Sequence, residues 1–586
     1  MKNIHLKRMV SRKNFIYVLL IGVFVLLIPD MLKGIDLTDM AYMLARYKYV
    51  FDQEIPINDF SIIITDIMGG ILYHAVPGGQ VFLISIACWA LNCGIALLSL
   101  QLLREYLNEI LLIIILIGGS LFSIAFIHVL HYNTFSMFFQ VLGFSLLIKG
   151  LDRKSKRLVL LSGVIQGLNI FVRLPNILQL SFGILIVWYF GDDIKNHRKT
   201  ILNYVRQYAI GVCSGGLLGI CLGGIVLGYS GIISLLSDTM RSLGDRSSSH
   251  GAAAIVRRFF EGINDGIRNT ARYEILIVFC VIALLILLNI FIENKKNIPE
   301  QTRIRCYKIA ENSSMIFMIL WGLVLSSKLS YVSILEIMYT NAVVICTASA
   351  IYLRKKDIML STICLGCVLM ELILTIGTNN GTSFYVVFMG FPTAVTICAL
   401  RKSLSYRFGR VKRSCKNIIT VALIGLLSIE GYQYYDTYVY RDATKNLLDY
   451  EVSIKEYKGI RTSKERAEYL KKLVRILDPY SEYQLIALGD FAIGYVITDM
   501  VPFFSSSWPD LTSFGIEKFQ KELEKKQEQQ IYPVIVLADV YQTRIYRSQE
   551  KINMVMEFAS KSEKYKMIYQ DEYYCIYAPI EDKKDN

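Results

Sequence analysis

The feature that most constrains this chain is the recurrence of apolar runs about as long as a bilayer is thick. Thirteen such runs can be placed, at 14–32, 79–103, 108–128, 132–150, 158–172, 174–190, 207–229, 273–292, 311–327, 331–352, 358–377, 384–400 and 417–431. A straight helix needs about twenty apolar residues to cross the hydrocarbon core, and several of these runs are shorter. The expected fold is a polytopic α-helical membrane protein of about 13 spans.

Charge gives the orientation. Lys and Arg recur in alternate connections, at 2–13, Arg104, 149–157, 195–206, 295–308, 354–356 and 401–416. The opposite connections at 129–131 and 378–383 carry none, and 328–330 carries one. The basic set faces the cytoplasm, so the N-terminus is cytoplasmic and the C-terminal part extracytoplasmic. The first residues are basic and precede an apolar run without an obvious small-residue cleavage site, which reads as an uncleaved first span.

The formal charge of +14 invites a nucleic-acid reading, but its distribution argues against one. Residues 432–586 hold 22 Lys and Arg against 25 Asp and Glu, leaving 41 against 24 for the first 431 residues. The basic excess belongs to short loops beside membrane spans. Of twelve cysteines only Cys575 lies in the polar C-terminal part, so no disulfide framework follows. Cys364 and Cys367 form a C-x-x-C within an apolar run, where cysteine packs as a small apolar residue.

The division expected is a multi-span part at 1–431 and a soluble part at 432–586. The latter alternates β-rich runs ("YQLIALG", "YPVIVLAD", "YYCIYAPI") with charged helical patterns ("ERAEYLKKLVRIL", "IEKFQKELEKKQEQ"), a small α/β domain. Two connections on the extracytoplasmic side are long. Residues 33–78 contain an amphipathic stretch and then "FSIIITDIMGGILYHAV", read as a helix in the interface rather than a span. Residues 230–272 mix Gly, Ser and charge, and read either as a mobile lid or substrate-contacting loop, or as an unstructured connector.

Polar residues cluster on that same side. In "DLTD", Asp36 can cap a helix running toward Tyr49, or serve as a catalytic acid; Asp39, one helical face with Tyr42 and Arg46, is the stronger catalytic candidate because a carboxylate at the membrane lip is costly. "HVLHYNTFS" interrupts two apolar runs with His131, Tyr132 and Asn133, residues suited either to a turn or to contact with a sugar or metal. "FVRLPNILQ" puts Arg173 between two runs, either snorkelling at a helix end or pairing with a phosphate; Lys328 carries the same alternatives. "TIGTNNGTSF" sets Asn379 and Asn380 in a tight turn whose amides can meet a sugar or phosphate, although a plain hairpin needs the same residues.

In order and sidedness these motifs resemble polyprenyl-phosphate-sugar-dependent membrane glycosyltransferases of the GT-C fold, most nearly the bacterial relatives of glycosyltransferase family 39, the protein O-mannosyltransferase-like group. The resemblance covers most of residues 1–400, and "GDFAIGYVITDMVPFFSSSWPDL" is similar to the exported tail of some members. It implies a GT-C-like bundle in a bacterial cell membrane. A sugar would pass from a polyprenyl-phosphate donor to the hydroxyl of an extracytoplasmic glycan, lipid or protein acceptor, with inversion. Asp39, within "DMAY", takes the place of the family's first-loop base, with Asp36 as fallback. Arg173 and Lys328 would stabilise the departing phosphate, and Tyr42, His131, Tyr132, Asn133, Asn379 and Asn380 would contact substrate. His131, Tyr132 and Asn133 stand where members often carry a second acid, so no cofactor is certain and a divalent metal remains possible. The competing classes are a lipid-linked oligosaccharide flippase or other transporter, which tends to show inverted repeats, and a polysaccharide polymerase.

Overall fold

The computed structural model of the chain describes residues 15–52, 54–55, 60–126, 128–191, 194–244, 251–275, 299, 301–302, 305, 309, 331–378, 381–407, 439–541 and 547–580. The expected runs at 311–327 and 417–431, nearly all of 273–292, and the candidate residues Lys328, Asn379 and Asn380 lie outside the described residues.

The described residues open with α1 (Phe15–Leu26) and continue through a single helical turn, Ile28–Met31, and a loop into α2 (Asp39–Tyr49) and α3 (Ile63–His74). Then come α4 (Gln80–Leu103), α5 (Glu109–Phe126), α6 (Tyr132–Asp152), α7 (Lys156–Asn169) and α8 (Gly183–Tyr189). The bundle continues with α9 (Ile194–Gly244), α10 (Ala252–Thr270), α11 (Tyr331–Leu353), α12 (Ile358–Thr375) and α13 (Gly390–Arg407). Among the described residues six helices are long and apolar enough to cross a membrane: α4, α5, α6, α12, and the stretches Asn196–Arg241 and Val332–Leu353 of α9 and α11. The chain is a multi-pass membrane protein. Phe15–Leu26, Phe60–His74 and Leu174–Tyr189 are apolar but shorter.

Packing inside the bundle depends on close backbone approach, as expected where lipid is as apolar as the helix faces. Gly163 and Gly167 of α7 lie against Gly211 and Gly215 of α9; a Cβ on Gly163 would meet the Tyr208 carbonyl at 2.3 Å, and one on Gly211 the Leu160 carbonyl at 2.2 Å. Between α7 and α8 the chain forms a nine-residue 3₁₀ helix, Leu174–Phe182, longer than the three or four residues usual for that geometry. Side-chain amides hold it. Asn176 donates to the Ser136 hydroxyl (2.7 Å) and to the Asn169 carbonyl (3.0 Å), and Asn169 donates to Gln179 (3.2 Å).

Residues 230–272 differ from the expectation of a mobile or unstructured loop. Nearly all of the described part is helical: α9 runs on to Gly244 through a break at Gly228 (φ 71°), and α10 follows after the extended Gly251. Tertiary contacts fix the segment. Thr382 donates to the Gly262 carbonyl at 3.0 Å, Asn269 to Glu336 at 2.6 Å, and Lys518 pairs with Asp238 at 2.9 Å.

The C-terminal part is a small α/β domain. A two-stranded ribbon, β1 (Tyr450–Glu451) with β2 (Arg461–Thr462), leads to α14 (Lys464–Leu477) and then a four-stranded sheet. The sheet contains β3 (Leu485–Gly489), β4 (Val534–Ala538), β5 (Tyr565–Gln570) and β6 (Tyr574–Pro579) in the order β3-β4-β6-β5. β3 and β4 are parallel, and β6 is antiparallel to both β4 and β5. The parallel pair comes from the two most continuous apolar runs, buried on both faces by α14, α15 (Ile516–Glu528) and α16 (Gln549–Lys561).

This domain is joined to the bundle by backbone as well as side chains. The Gly34 amide donates to the Arg461 carbonyl at 2.7 Å and the Arg461 amide to the Leu32 carbonyl at 2.8 Å. Lys48 donates to the carbonyls of Tyr495 (3.1 Å) and Thr498 (2.7 Å), and Tyr49 to that of Met500 (3.1 Å). Gly34 has φ 97°, and a Cβ there would stand 2.3 Å from Val439, so only glycine lets the two segments pass.

Candidate active site

The site grows from the start of α2. Asp36 precedes the helix and turns its buried carboxylate back onto it, accepting from the Thr38 amide (3.0 Å), the Thr38 hydroxyl (2.6 Å) and the Met40 amide (2.8 Å). This is the capping arrangement that satisfies free amides of a first turn. Burial, with the neighbouring Asp39 charge, pushes Asp36 up to about 6 against the opposing pull of Arg441. All the partners of Asp36 are spent on the helix start.

Asp39 is different. It is the first residue of α2, its side chain is 46% exposed, and both partners named for it come from the segment entering the α/β domain. Tyr440 donates to its Oδ2 at 2.6 Å, and the Arg441 guanidinium lies 3.0 Å from the same oxygen. Arg441 also donates to the Thr38 hydroxyl. The two carboxylates raise the Arg441 pKa further, against its desolvation. A carboxylate that is reachable, oriented by a phenol and paired with a guanidinium is suited to accept a proton from a hydroxyl once the pairing loosens.

Tyr42 and Arg46 share the helix with Asp39, but Arg46 turns away from it. Its guanidinium forms a bidentate pair with Asp66 of α3, both side chains almost fully buried, and its Nη1 donates to the Tyr42 hydroxyl at 3.3 Å. Asp66 was not singled out from sequence, although a lone acid in "FSIIITDIMGG" is the kind of costly residue that demands a partner.

His131 caps α6, its Nδ1 accepting from the Asn133 amide at 3.2 Å, and its ring lies 4.0 Å from that of Tyr132. Burial pushes His131 down to about 4; the Asp39 carboxylate pulls it up and the Arg173 guanidinium down. His131 thus lies within the electrostatic reach of both. Asn133 is buried within the first turn of α6. Arg173, 4% exposed, donates to the carbonyls of Leu374 (2.8 Å) and Ile376, tying the start of the 3₁₀ helix to the end of α12. Gly377 lies beside Pro175 and Arg173, so the "RLP" and "GTNNG" motifs meet. His131 and Tyr132 thus stand together at the start of α6, and the charges of Asp39 and Arg173 both act on His131.

The sequence reading missed Tyr440 and Arg441 altogether. Their partner Asp39 lies 401 residues away from Tyr440, and no local pattern announces such a pair. Asp442, next in line, accepts from the Ile35 amide (2.7 Å) and from Thr462, which anchors the segment. A divalent cation finds a poor set of donors here: a guanidinium already stands beside Asp39, and among the described residues no group of three or more His, Cys, Asp or Glu is placed to hold a metal.

No family model matches the sequence, and no curated protein does. Among solved structures, the chain is similar to the Archaeoglobus fulgidus oligosaccharyltransferase in complex with Zn and sulfate, with 11% identity and a TM-score of 0.47 over 97% of this chain and 74% of that one. The same oligosaccharyltransferase tethered to an acceptor peptide gives 8% identity and a TM-score of 0.47 over 96% and 74%. ArnT from Cupriavidus metallidurans in the apo state gives 11% identity and a TM-score of 0.41 over 97% of this chain and 98% of that one.

Proposed function

We propose that the chain is a membrane glycosyltransferase of the GT-C type, moving a sugar from a polyprenyl-phosphate donor to an acceptor hydroxyl on the extracytoplasmic side of a bacterial cell membrane. One observation carries the reading. A half-exposed carboxylate, Asp39, stands at the joint between an apolar helix bundle and an α/β domain, paired there with Tyr440 and Arg441. Such a joint can admit a lipid from the bundle side and a polar acceptor from the domain side.

Asp39 takes the proton of the acceptor hydroxyl as its oxygen attacks the anomeric carbon. The bond from that carbon to the phosphate oxygen breaks with its electron pair staying on the phosphate. Positive charge near the leaving oxygen stabilises it, the role proposed for Arg173, which acts through its field while its hydrogen bonds stay on the Leu374 and Ile376 carbonyls, with Lys328 as its companion. Attack from the face opposite the phosphate inverts the anomeric centre. Tyr42, His131, Tyr132, Asn133, Asn379 and Asn380 are proposed to contact the substrates.

The test uses the full chain in lipid nanodiscs, given sugar donors of two kinds. The reading expects transfer from a polyprenyl-phosphate sugar and none from the corresponding nucleotide sugar. Transfer from the nucleotide sugar alone would overturn it.

A further inference from the structure

We propose that Arg441 is a phosphate ligand that Asp39 holds until the lipid donor arrives, so that binding of the donor is what frees the base. The inference rests on Asp39 being the base in the function proposed above.

The backbone gives the first reason. Arg441 has φ 54°, a left-handed conformation that non-glycine residues keep only where their surroundings impose it. The surroundings do so. Its carbonyl accepts from Arg466 Nη1 (2.5 Å) and from the Tyr541 hydroxyl (2.7 Å), and the neighbouring Asp442 is tied to Ile35 and Thr462. Arg466 also reaches the Ile35 carbonyl, so the loop bearing Asp36 and Asp39 and the segment bearing Arg441 are fixed to each other.

The side chain gives the second. The guanidinium lies over the rings of Tyr440 (4.9 Å) and Tyr541 (5.6 Å), and it meets Asp39 and Thr38 by their side chains alone. Side-chain exposure of 18% for Arg441 and 46% for Asp39 leaves the carboxylate open to solvent while the guanidinium is mostly covered. An ion pair with so open a carboxylate adds modest stability and does not by itself explain why three residues of the α/β domain, Arg466, Tyr541 and Thr462, together with Ile35, hold an arginine in a strained turn.

The chemistry gives the third. A planar guanidinium matches a phosphate as well as it matches a carboxylate, through two parallel hydrogen bonds. While Arg441 sits on Asp39, the charge of the carboxylate is offset and its Oδ2 is engaged by both Tyr440 and Arg441. A phosphate that takes the guanidinium leaves Asp39 oriented by Tyr440 but without its counter-charge, and so more avid for the acceptor proton. When the proton has moved to Asp39 and the sugar–phosphate bond has broken, the pair of electrons on the leaving phosphate faces Arg441. A base left idle until the donor is seated avoids wasteful hydrolysis of that donor.

The test measures equilibrium binding of polyprenyl phosphate, without sugar, to the full chain in nanodiscs, with polyprenol and inorganic phosphate as comparison ligands. Because Asp39 competes for Arg441, Asp39→Asn should tighten binding of the lipid phosphate, while Arg441→Ala weakens it by about tenfold or more and Arg441→Lys by less. Polyprenol should bind weakly to all of them. Weaker or unchanged binding by Asp39→Asn, or wild-type affinity in Arg441→Ala, overturns the proposal; if Arg441→Ala does not fold, the sign of the Asp39→Asn change decides alone. Equal binding of polyprenol also overturns it. Inorganic phosphate binding as tightly, with the same order of variants, keeps Arg441 as a phosphate ligand and removes the lipid donor from its role. Sugar transfer is measured on the same preparations. A wild type with the predicted order of affinities but no transfer refutes the transferase reading and not the phosphate site, whereas transfer with an unaltered Arg441→Ala affinity refutes only the latch.

Discussion

Arg173 and Arg441 stand at the same end of the molecule and are used in opposite ways. In the bundle, Arg173 spends its guanidinium on the carbonyls of Leu374 and Ile376, pinning a 3₁₀ helix to the end of α12. At the entry to the α/β domain, the backbone of Arg441 is pinned and its guanidinium is given to side chains, Asp39 and Thr38. A cation on main-chain carbonyls is part of the scaffold, and letting go leaves buried acceptors unsatisfied. A cation on an exposed carboxylate exchanges one anion for another at little cost. The same contrast separates the aspartates: Asp66 is locked in a buried bidentate pair with Arg46, and Asp39 is half exposed.

This contrast can be broken most severely at Asp66. Replacing it with alanine leaves Arg46 buried without its carboxylate, and such a loss costs about 3–5 kcal/mol. Thermal unfolding of the purified variant should show a large drop or no folded protein; a melting temperature near wild type would mean the pair is not part of the scaffold. Arg173→Ala comes next. It frees two carbonyls and the end of α12, for an expected loss of about 2–4 kcal/mol, again read by thermal unfolding.

The α/β domain offers a titration. Asp510 is fully buried, its Oδ2 accepting from the Gly489 amide at 3.0 Å, and burial pushes it up to about 6 although Arg547 opposes this. A raised carboxyl pKa favours the folded state below about pH 4, and that contribution is lost as pH rises through about 6, up to about 3 kcal/mol for a shift of this size. Asp510→Asn does not titrate. Its melting temperature should therefore gain on that of wild type between pH 4 and 6, and a constant difference across that window would contradict the assignment. The smallest stability effect belongs to Arg441→Ala, about 1–2 kcal/mol for a pair whose carboxylate is half exposed. A collapse of the fold would instead make Arg441 a residue that the scaffold requires.

Much of the scaffold was legible because its elements announce themselves locally. The run at 79–103 is the helix Gln80–Leu103, 108–128 contains Glu109–Phe126, and 132–150 falls within Tyr132–Asp152. "YQLIALG", "YPVIVLAD" and "YYCIYAPI" hold β3, β4 and β6. The helix-capping role available to Asp36 could also be read, since it needs only an acid ahead of an amphipathic run. What escaped depends on distant partners. The helical form of 230–272 is fixed by Thr382, Glu336 and Lys518, and the clamp on Asp39 by a segment four hundred residues on. Arg46, read as a companion of Asp39 by helical spacing, has its partner on α3, because a buried guanidinium seeks a buried carboxylate ahead of an exposed one.

The most direct test sets Asp39→Asn beside Asp36→Asn, following sugar transfer from a polyprenyl-phosphate donor and thermal unfolding in the same nanodisc preparations. The account predicts that Asp39→Asn loses about a hundredfold or more of the transfer rate at an unchanged melting temperature, while Asp36→Asn lowers the melting temperature. Full transfer by the Asp39→Asn protein would contradict it.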